Sequence, residues 1–154
     1  MQLKIEVFAA DPLQPEITKM IEELDILMQQ LYPSDSNHLT AAAEFATGSN
    51  QFFVARIDEK IVGCGGILVS DADYAEVKRI YVAPKYRNLG VAPAILARLE
   101  KESRKLGLVE MKLETGILQP AAIRVFEKCG FSQSRSFGRY EEDDPYSYFM
   151  SKLL

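Results

Sequence analysis

The spacing of apolar residues divides the chain into alternating strand-like and helix-like segments. At the N-terminus apolar and polar residues alternate, which would place Leu3, Ile5 and Val7 on one face of a half-buried strand. From Pro15 to Leu31 the apolar residues recur every three or four positions instead, a pattern that predicts an amphipathic helix. The alanine-rich stretch from His38 to Ala46 predicts a second, shorter helix.

Three consecutive strands are predicted next. The runs from Gln51 to Ile57 and from Lys60 to Ser70 are rich in Val, Ile, Phe and Gly, and the short polar turn between them predicts a hairpin. The run from Tyr74 to Val82 would extend this hairpin as a third antiparallel strand. A polar loop from Ala83 to Gly90 then leads into a predicted helix from Val91 to Leu106.

The remainder of the chain continues the alternation of strands and helices. We predict a strand from Val109 to Thr115, a helix from Pro120 to Lys128, and final strands from Phe131 to Phe137 and from Tyr146 to Leu153. The order β-α-α-β-β-β-α-β-α-β-β predicts an α/β (α+β) fold in one domain, residues 1–154. Its mixed, mostly antiparallel sheet would have seven strands and be flanked by four helices.

Composition narrows the class of protein. The chain is 47% hydrophobic and 26% charged, which is ordinary for a globular domain. Its net charge of −4 argues against duplex DNA or an anionic membrane as a partner, because clustered basic residues bind both. No stretch approaches the roughly 18 apolar residues of a membrane span, and Cys64 and Cys129 lack metal-site spacing. We therefore expect a cytoplasmic protein with reduced thiols, no leader or anchor, and no metal.

The loop before Val91 is the first candidate for a ligand site. The start of a helix leaves backbone N–H groups unpaired, and the helix dipole favours negative charge there. Gly90 would let the backbone approach an anion closely, and Ala92 is also small. The loop is therefore predicted to bind phosphate. In the alternative interpretation Gly90 only shapes a turn, since short glycine motifs are weak signals.

Two stretches of the chain together resemble the GNAT superfamily of N-acetyltransferases. The loop from Arg87 to Ala92, following the strand that ends at Val82, resembles that family's acyl-CoA-binding signature Q/R-x-x-G-x-G/A. The stretch from Leu113 to Phe131 is similar to its second signature, a strand followed by N-x-x-A-x-x-L-Y-x-x-x-G-F. Both occur in the expected order, and the resemblance extends from Phe52 to Leu154.

The resemblance implies that acetyl-CoA, as cosubstrate, lies in a V-shaped split between two central strands, the one from Tyr74 to Val82 and the one from Val109 to Thr115. The pantetheine arm would pair with the backbone of the first strand, and the loop amides would hold the pyrophosphate. The residues thereby assigned to the cosubstrate are Ile80, Tyr81, Val82, Arg87, Asn88, Leu89, Gly90, Val91, Ala92, Gln119 and Phe126.

Two of these residues depart from the family pattern. Gln119 stands where the family has asparagine, although its amide keeps the same donor and acceptor. Phe126 stands where the family has a tyrosine that often protonates the departing thiolate, and phenylalanine has no proton to donate. Tyr81, Tyr140 or water would supply this proton, or the thiolate would leave unassisted.

Acetylation of an ammonium group also requires a base. Glu76, near the start of the strand that would line the cosubstrate, is the first candidate. In the alternative interpretation it is a surface carboxylate paired with Lys78 on the same face. Tyr140, in a polar loop, is the second predicted catalytic residue. His38, the sole histidine, would either contact the substrate or be merely structural.

The implied function is transfer of an acetyl group from acetyl-CoA to a primary amine by direct attack. The acceptor, a small molecule or a peptide, is not identified by the sequence. The acidic run from Glu141 to Asp144 is either a solvated loop or a rim that attracts a cationic amine. A catalytically weak acyl-CoA-binding or regulatory module is the alternative, and Phe126 keeps it open. Exposed edge strands near the C-terminus would allow a homodimer.

Overall fold

The computed structural model describes residues 3–34 and 40–154 and builds them around one mixed β-sheet. The strands are β1 (Glu6–Ala9), β2 (Gln51–Ile57), β3 (Lys60–Val69), β4 (Tyr74–Val82), β5 (Glu110–Gly116), β6 (Ser132–Gln133) and β7 (Ser147–Leu153). The α-helices of the described residues are α1 (Pro15–Leu31), α2 (Val91–Lys105) and α3 (Pro120–Lys128). The seven strands lie in the order β1-β2-β3-β4-β5-β7-β6, and all neighbours are antiparallel except β4 and β5. The predicted sheet is confirmed.

The prediction of four helices is wrong by one. In place of the second helix, the structure has a five-residue 3₁₀ turn, Ala42–Ala46. His38 lies in 35–39, outside the described residues. Five residues are too few to offset the nucleation cost of an α-helix. The buried ring of Phe45 instead anchors the turn, and it packs against the Phe52 ring at a centroid distance of 5.1 Å.

Two strands are also shorter than predicted. β1 begins at Glu6, and Leu3 before it is 45% exposed. The alternation of apolar and polar residues from Leu3 onward was therefore not sufficient to extend the strand to Leu3. β6 comprises two residues of the predicted run from Phe131 to Phe137. It pairs with β7 at these two positions, after which the chain leaves the edge of the sheet.

Apolar side chains fill both faces of the sheet. The cluster on the face covered by α2 and α3 includes Phe53, Ile67, Val77, Ile95, Leu99, Met111, Leu113, Phe126 and Met150. The cluster on the face covered by α1 includes Ile17, Ile21, Leu24, Phe45, Phe52, Val54 and Tyr81. Because both faces are covered, β2 and β3 are apolar along most of their length rather than alternating. None of the described helices has the length and apolar character to cross a membrane.

Glycines in β3 allow close packing against both faces. A Cβ atom on Gly65 would lie 2.5 Å from Ile80 Cδ1 and 2.9 Å from Ile95 Cγ2. A Cβ atom on Gly66, on the opposite face, would lie 2.5 Å from the Phe45 ring. The glycine-rich sequence of β3 is therefore a packing requirement, because any side chain here would displace β4 or one of the covering elements.

The central feature of the sheet is a split between β4 and β5. These two strands run parallel and pair only where Tyr74, Ala75 and Glu76 face Glu110, Met111 and Lys112. Beyond these three pairs, β4 remains paired with β3 as far as Val82, and β5 remains paired with β7 as far as Gly116. The predicted V-shaped split is therefore present.

An ion pair ties the last strand to α2. Lys152 Nζ on β7 lies 2.9 Å from Glu100 Oε2 on α2 and donates a second hydrogen bond of 2.8 Å to the Cys129 carbonyl oxygen. The hydrogen bond from Lys152 holds the pKa of Glu100 below its usual value, and Arg104 adds to this effect. The charged form of Glu100 is therefore favoured in the folded state.

We predict that Glu100→Gln lowers the free energy of unfolding by about 0.5 kcal/mol at pH 7. The pKa of Glu100 is lower in the folded state than in the unfolded state. The contribution of Glu100 to the free energy of unfolding is therefore fully present above the unfolded-state pKa of about 4.3. This contribution is lost as the pH falls through the folded-state pKa. Urea unfolding at pH 7 and pH 3 measures this difference, with Glu127→Gln as the exposed control on α3. Equal losses at both pH values would contradict the assignment.

Candidate active site

A cavity of about 140 Å³ opens where β4 and β5 separate. Residues 77–80 of β4 and 113–116 of β5 form its walls. α1 contributes Leu24 and Met28, and α3 contributes Ala122 and Phe126. The cavity therefore contacts elements on both faces of the sheet, and most of its lining outside the strands is apolar.

A β-bulge shapes the β4 wall of this cavity. The register between β3 and β4 shifts by one residue, so that Arg79 and Ile80 both lie opposite Gly65. Arg79 has a φ of 60°, in the left-handed region that side chains other than glycine rarely occupy. Because the bulge interrupts the alternation of β4, the neighbouring residues Lys78 and Arg79 both line the cavity.

Buried contacts hold Arg79 in this strained conformation. Its Nη1 pairs with the carboxylate of Asp25 on α1, and its Nε donates a 2.8 Å hydrogen bond to the Thr40 carbonyl oxygen. The Arg79 carbonyl oxygen accepts a hydrogen bond of 3.3 Å from Cys64 Sγ. Burial raises the pKa of Cys64 to about 12, which keeps the thiol protonated as the donor. The bulge and α1 are thereby fixed to each other.

The two predicted catalytic residues, Glu76 and Tyr140, are in direct contact. The Tyr140 hydroxyl donates a short hydrogen bond to Glu76 Oε2 and accepts one of 2.9 Å from Lys78 Nζ. Lys78 Nζ also lies 3.8 Å from Glu76 Oε2. The side chains of Lys78 and Glu76 are only 9% and 16% exposed. The pairing with Lys78 is thus observed, but Glu76 is not a surface carboxylate.

Burial changes the pKa values of Lys78 and Tyr140 in opposite directions. Burial lowers the pKa of Lys78, although the nearby carboxylates of Glu76 and Glu114 oppose the change. Burial also raises the pKa of Tyr140, and the neighbouring Glu76 carboxylate raises it further. Tyr140 is consequently a weak acid that serves as a hydrogen-bond donor to Glu76.

Glu114 brings a carboxylate to the opposite wall of the cavity. It lies on β5, and its Oε2 accepts a hydrogen bond of 2.7 Å from Ser147 Oγ. No role was predicted from the sequence for Glu114 or Arg79. Charged residues within otherwise buried strands were the available signal, because burial of a charge requires a partner or a function.

Tyr32 closes one end of the cavity. Its hydroxyl accepts a hydrogen bond of 3.2 Å from the Leu118 N–H, and its ring contacts Tyr146 edge-on at 6.1 Å. Burial raises the pKa of Tyr32, while hydrogen bonds from Gln119 and Leu118 partly oppose this. A Cβ atom on Gly116 would overlap the Tyr32 hydroxyl, so only glycine fits at the end of β5. Tyr32 was not identified from the sequence.

The residues predicted to contact a cosubstrate begin at the cavity and continue to the start of α2. Ile80, Gln119 and Phe126 line the cavity. The Tyr81 side chain instead points toward α1, where its hydroxyl lies 3.2 Å from Glu23 Oε2. Phe126 is buried and packs edge-on against Phe131.

The predicted phosphate loop is exposed and follows β4 directly. Residues 87–90 are all exposed, and Arg87 Nε donates a hydrogen bond of 3.1 Å to the Val82 carbonyl oxygen. Asn88 and Gly90 have φ values of 64° and 89°. Gly90 is the N-cap of α2 and has no side chain to bind the first amides of that helix. The loop therefore presents backbone N–H groups to solvent.

The acidic run, residues 141–144, lies in a loop and forms hydrogen bonds with Ser136 and Tyr146. The Glu142 carboxylate accepts hydrogen bonds from the Ser136 N–H and hydroxyl, and Asp144 Oδ1 accepts one from the Tyr146 N–H. Residues 141–143 are exposed. Outside 1–2 and 35–39, no group of three or more His, Cys, Asp or Glu residues is arranged to hold a metal ion.

Comparison with known proteins gives consistent matches. A family model described as the acetyltransferase (GNAT) family matches residues 18–131. An IAA acetyltransferase of Azospirillum brasilense is 39% identical over 151 residues, covering 97% of this chain and 98% of its own. A Klebsiella pneumoniae structure assigned to the acyl-CoA N-acyltransferases superposes with a TM-score of 0.81, at 30% identity and 97% coverage of both chains. A GNAT acetyltransferase of Elizabethkingia anophelis, solved with acetyl-CoA bound, shares the fold with a TM-score of 0.71, at 17% identity and coverage of 97% and 98%.

We predict that Gly116→Ala and Tyr32→Ala are strongly non-additive. Gly116→Ala should lower the free energy of unfolding by about 1–3 kcal/mol, because the new methyl group overlaps the Tyr32 phenol. Removal of that phenol eliminates the overlap, so the double variant should be about as stable as Tyr32→Ala alone. Urea unfolding of the four proteins tests this. Additive losses would show that Tyr32 does not occupy the end of β5.

Proposed function

Since this chain is a member of the acetyltransferase (GNAT) family, we propose that it transfers the acetyl group of acetyl-CoA to a primary amine. One observation carries the proposal. The β4 edge that faces β5 is unpaired after Glu76, and the strand leads directly to the exposed N-terminus of α2. An extended thioester with a phosphate-bearing end is complementary to that arrangement.

Acetyl-CoA would bind along this edge. The backbone of Ile80, Tyr81 and Val82 would pair with the amides of the pantetheine arm, as a further strand would. The N–H groups of 87–92 would then contact the pyrophosphate, where Gly90 leaves room for close approach. Gln119 and Phe126, which line the cavity, would contact the acyl end.

The reaction requires a neutral amine beside the thioester. The amine nitrogen would attack the thioester carbon, the carbon–sulfur bond would break, and the thiolate would keep the bonding electron pair. A backbone N–H near Ile80 would stabilise the negative charge that develops on the carbonyl oxygen. Glu76 would accept the proton that the ammonium group loses, and Tyr140 would position its carboxylate.

Departure of the thiolate would not depend on a tyrosine acid. Phe126 has no hydroxyl, and the Tyr81 and Tyr140 hydroxyls are engaged by Glu23 and Glu76. Burial raises the pKa of both tyrosines, which makes them weaker acids. Water would therefore accept the second proton of the attacking nitrogen and protonate the thiolate after it has left, which the modest basicity of the thiolate permits.

We predict that Gly90→Glu abolishes CoA binding without unfolding the protein. The substitution places bulk and negative charge where the pyrophosphate would approach the backbone. Gly90→Ala is the matched control, because it carries the same penalty for a positive φ without the charge. Isothermal calorimetry measures CoA affinity, and thermal unfolding compares the two variants. Wild-type affinity in Gly90→Glu would remove the phosphate-loop assignment.

We predict that Glu76→Gln reduces acetyl transfer by about 100-fold or more, because it removes the proton acceptor but keeps the side-chain shape. CoA affinity should remain near that of the wild type. Release of free CoA with an identified amine measures the rate across pH, and the wild-type profile should contain an ionisation that the variant lacks. Glu142→Gln, in the exposed loop, is the control.

Two other outcomes would revise the proposal. Equal rates and equal pH profiles for Glu76→Gln and wild type would make Glu76 a structural residue, and Glu114 would become the candidate base. CoA binding without amine-dependent release of CoA would favour the acyl-CoA-binding module instead. Phe126→Tyr would then test whether a missing acid limits turnover.

A further inference from the structure

We infer that the acetyl acceptor is a free α-amino acid with an apolar side chain, bound as a zwitterion between the two walls of the split. Its carboxylate would bind Lys78 and Arg79 on β4, and its ammonium group would bind Glu114 on β5 before it loses a proton to Glu76. This inference rests on the proposed acetyl transfer and adds the substrate class.

The β4 wall carries two adjacent cations. The bulge brings Lys78 and Arg79 to the same cavity, and their side chains are only 9% and 5% exposed. Lys78 is held in place by Tyr140 and Glu76, and Arg79 by Asp25 and Thr40. Both charges are therefore fixed before a ligand arrives, which lowers the entropic cost of binding an anion.

Arg79 has a donor left over at this wall. Its Nε and Nη1 bond to Thr40 and Asp25, whereas Nη2 has no hydrogen-bond partner in 3–34 or 40–154. No fully buried side-chain nitrogen or oxygen of the described residues lacks a partner, so Nη2 retains accessible surface. Arg79 lines the cavity and only 5% of its side chain is exposed, so Nη2 would donate to a ligand carboxylate there.

The β5 wall carries the opposite charge. The Glu114 carboxylate lines the same cavity and is close enough to Lys78 to influence its ionisation. An ammonium group beside Glu114 and a carboxylate beside Lys78 and Arg79 match the two ends of one α-amino acid. A polyamine would place a second cation against Lys78 and Arg79, which like-charge repulsion disfavours.

The rest of the cavity indicates an apolar side chain. The lining also includes Leu24, Met28, Tyr32, Ala122, Phe126 and Tyr146, together with the uncharged polar residues Thr40, Thr115 and Gln119. Among the residues that the structure describes, this part of the lining supplies mostly apolar or aromatic surface and no further charge. A polar side chain on the acceptor would lose hydration here without a charged partner.

Matched acceptor pairs test the substrate class. Each amino acid is compared with the amine that lacks its carboxylate: L-leucine with 3-methylbutylamine, and L-phenylalanine with phenethylamine. Free CoA release with acetyl-CoA should give kcat/KM values at least about 30-fold higher for the amino acid in one pair or both, as expected for charge-assisted hydrogen bonds to a carboxylate. Equal or better use of both amines, or preference for spermidine, would overturn the inference while leaving acetyl transfer intact.

The Lys78→Met variant tests the assigned carboxylate contact. The kcat/KM ratio of amino acid to amine should fall about tenfold or more, because only the amino acid loses an ionic contact. A loss of folded enzyme lowers both values equally and cancels in the ratio. Lys60→Met, at the exposed first residue of β3, should keep the wild-type ratio, and Lys78→Arg should restore part of it. An unchanged ratio in Lys78→Met would overturn the assignment.

The tests separate failure of this inference from failure of the proposed function. Absence of CoA binding by calorimetry would contradict the proposed function itself. Binding of acetyl-CoA without acetylation of any member of the two pairs would overturn the amino-acid assignment alone.

Discussion

The separation of β4 from β5 after three shared residue pairs is the constraint on which the rest of the site depends. Backbone N–H and C=O groups rarely remain unpaired in a protein interior. The edge of β4 beyond Glu76 faces a cavity instead of a strand, and this makes the edge available to an extended ligand. The exposed N-terminus of α2 lies immediately downstream, so one continuous stretch of chain supplies both elements of the proposed acyl-CoA site.

Contacts on the α1 side of the sheet fix the β4 wall of the split. Arg79, in its left-handed conformation, joins the bulged β4 edge to α1 through Asp25 and to Thr40 through a backbone carbonyl. A buried ion pair of this kind contributes little net stability, since desolvation offsets its attraction. The Arg79–Asp25 ion pair instead serves to hold residues in position. It fixes the cavity wall and holds a guanidinium group beside the space where the acceptor would bind.

The acidic loop does not supply the charges that line the cavity, contrary to the expectation that this loop would attract a cationic amine. Glu142 and Asp144 bond within their own exposed loop. Within 3–34 and 40–154, the charged residues that line the cavity are Lys78 and Arg79 on one wall and Glu114 on the other. The site is dipolar, which is why it indicates a zwitterion more strongly than a simple cation.

The sequence by itself determined the order of the seven strands and of α1, α2 and α3, the bounds of β4 and α3, and the glycine loop before α2. These features follow from local periodicity, from helix-terminating residues and from one glycine at a helix start, all of which act within a few residues. The resemblance to a known family supplied the split and the cosubstrate, and the structure confirmed the split.

The tertiary structure alone decided which side chains contact one another in and around the site. The Tyr140–Glu76 and Arg79–Asp25 contacts join residues 64 and 54 positions apart, and Tyr32 meets Leu118 across 86 positions. No local pattern encodes such pairings, since they depend on how α1 and the loop before β7 pack on the sheet. The strained conformation of Arg79 was equally invisible, because its cause is a register shift against β3 rather than the residue itself.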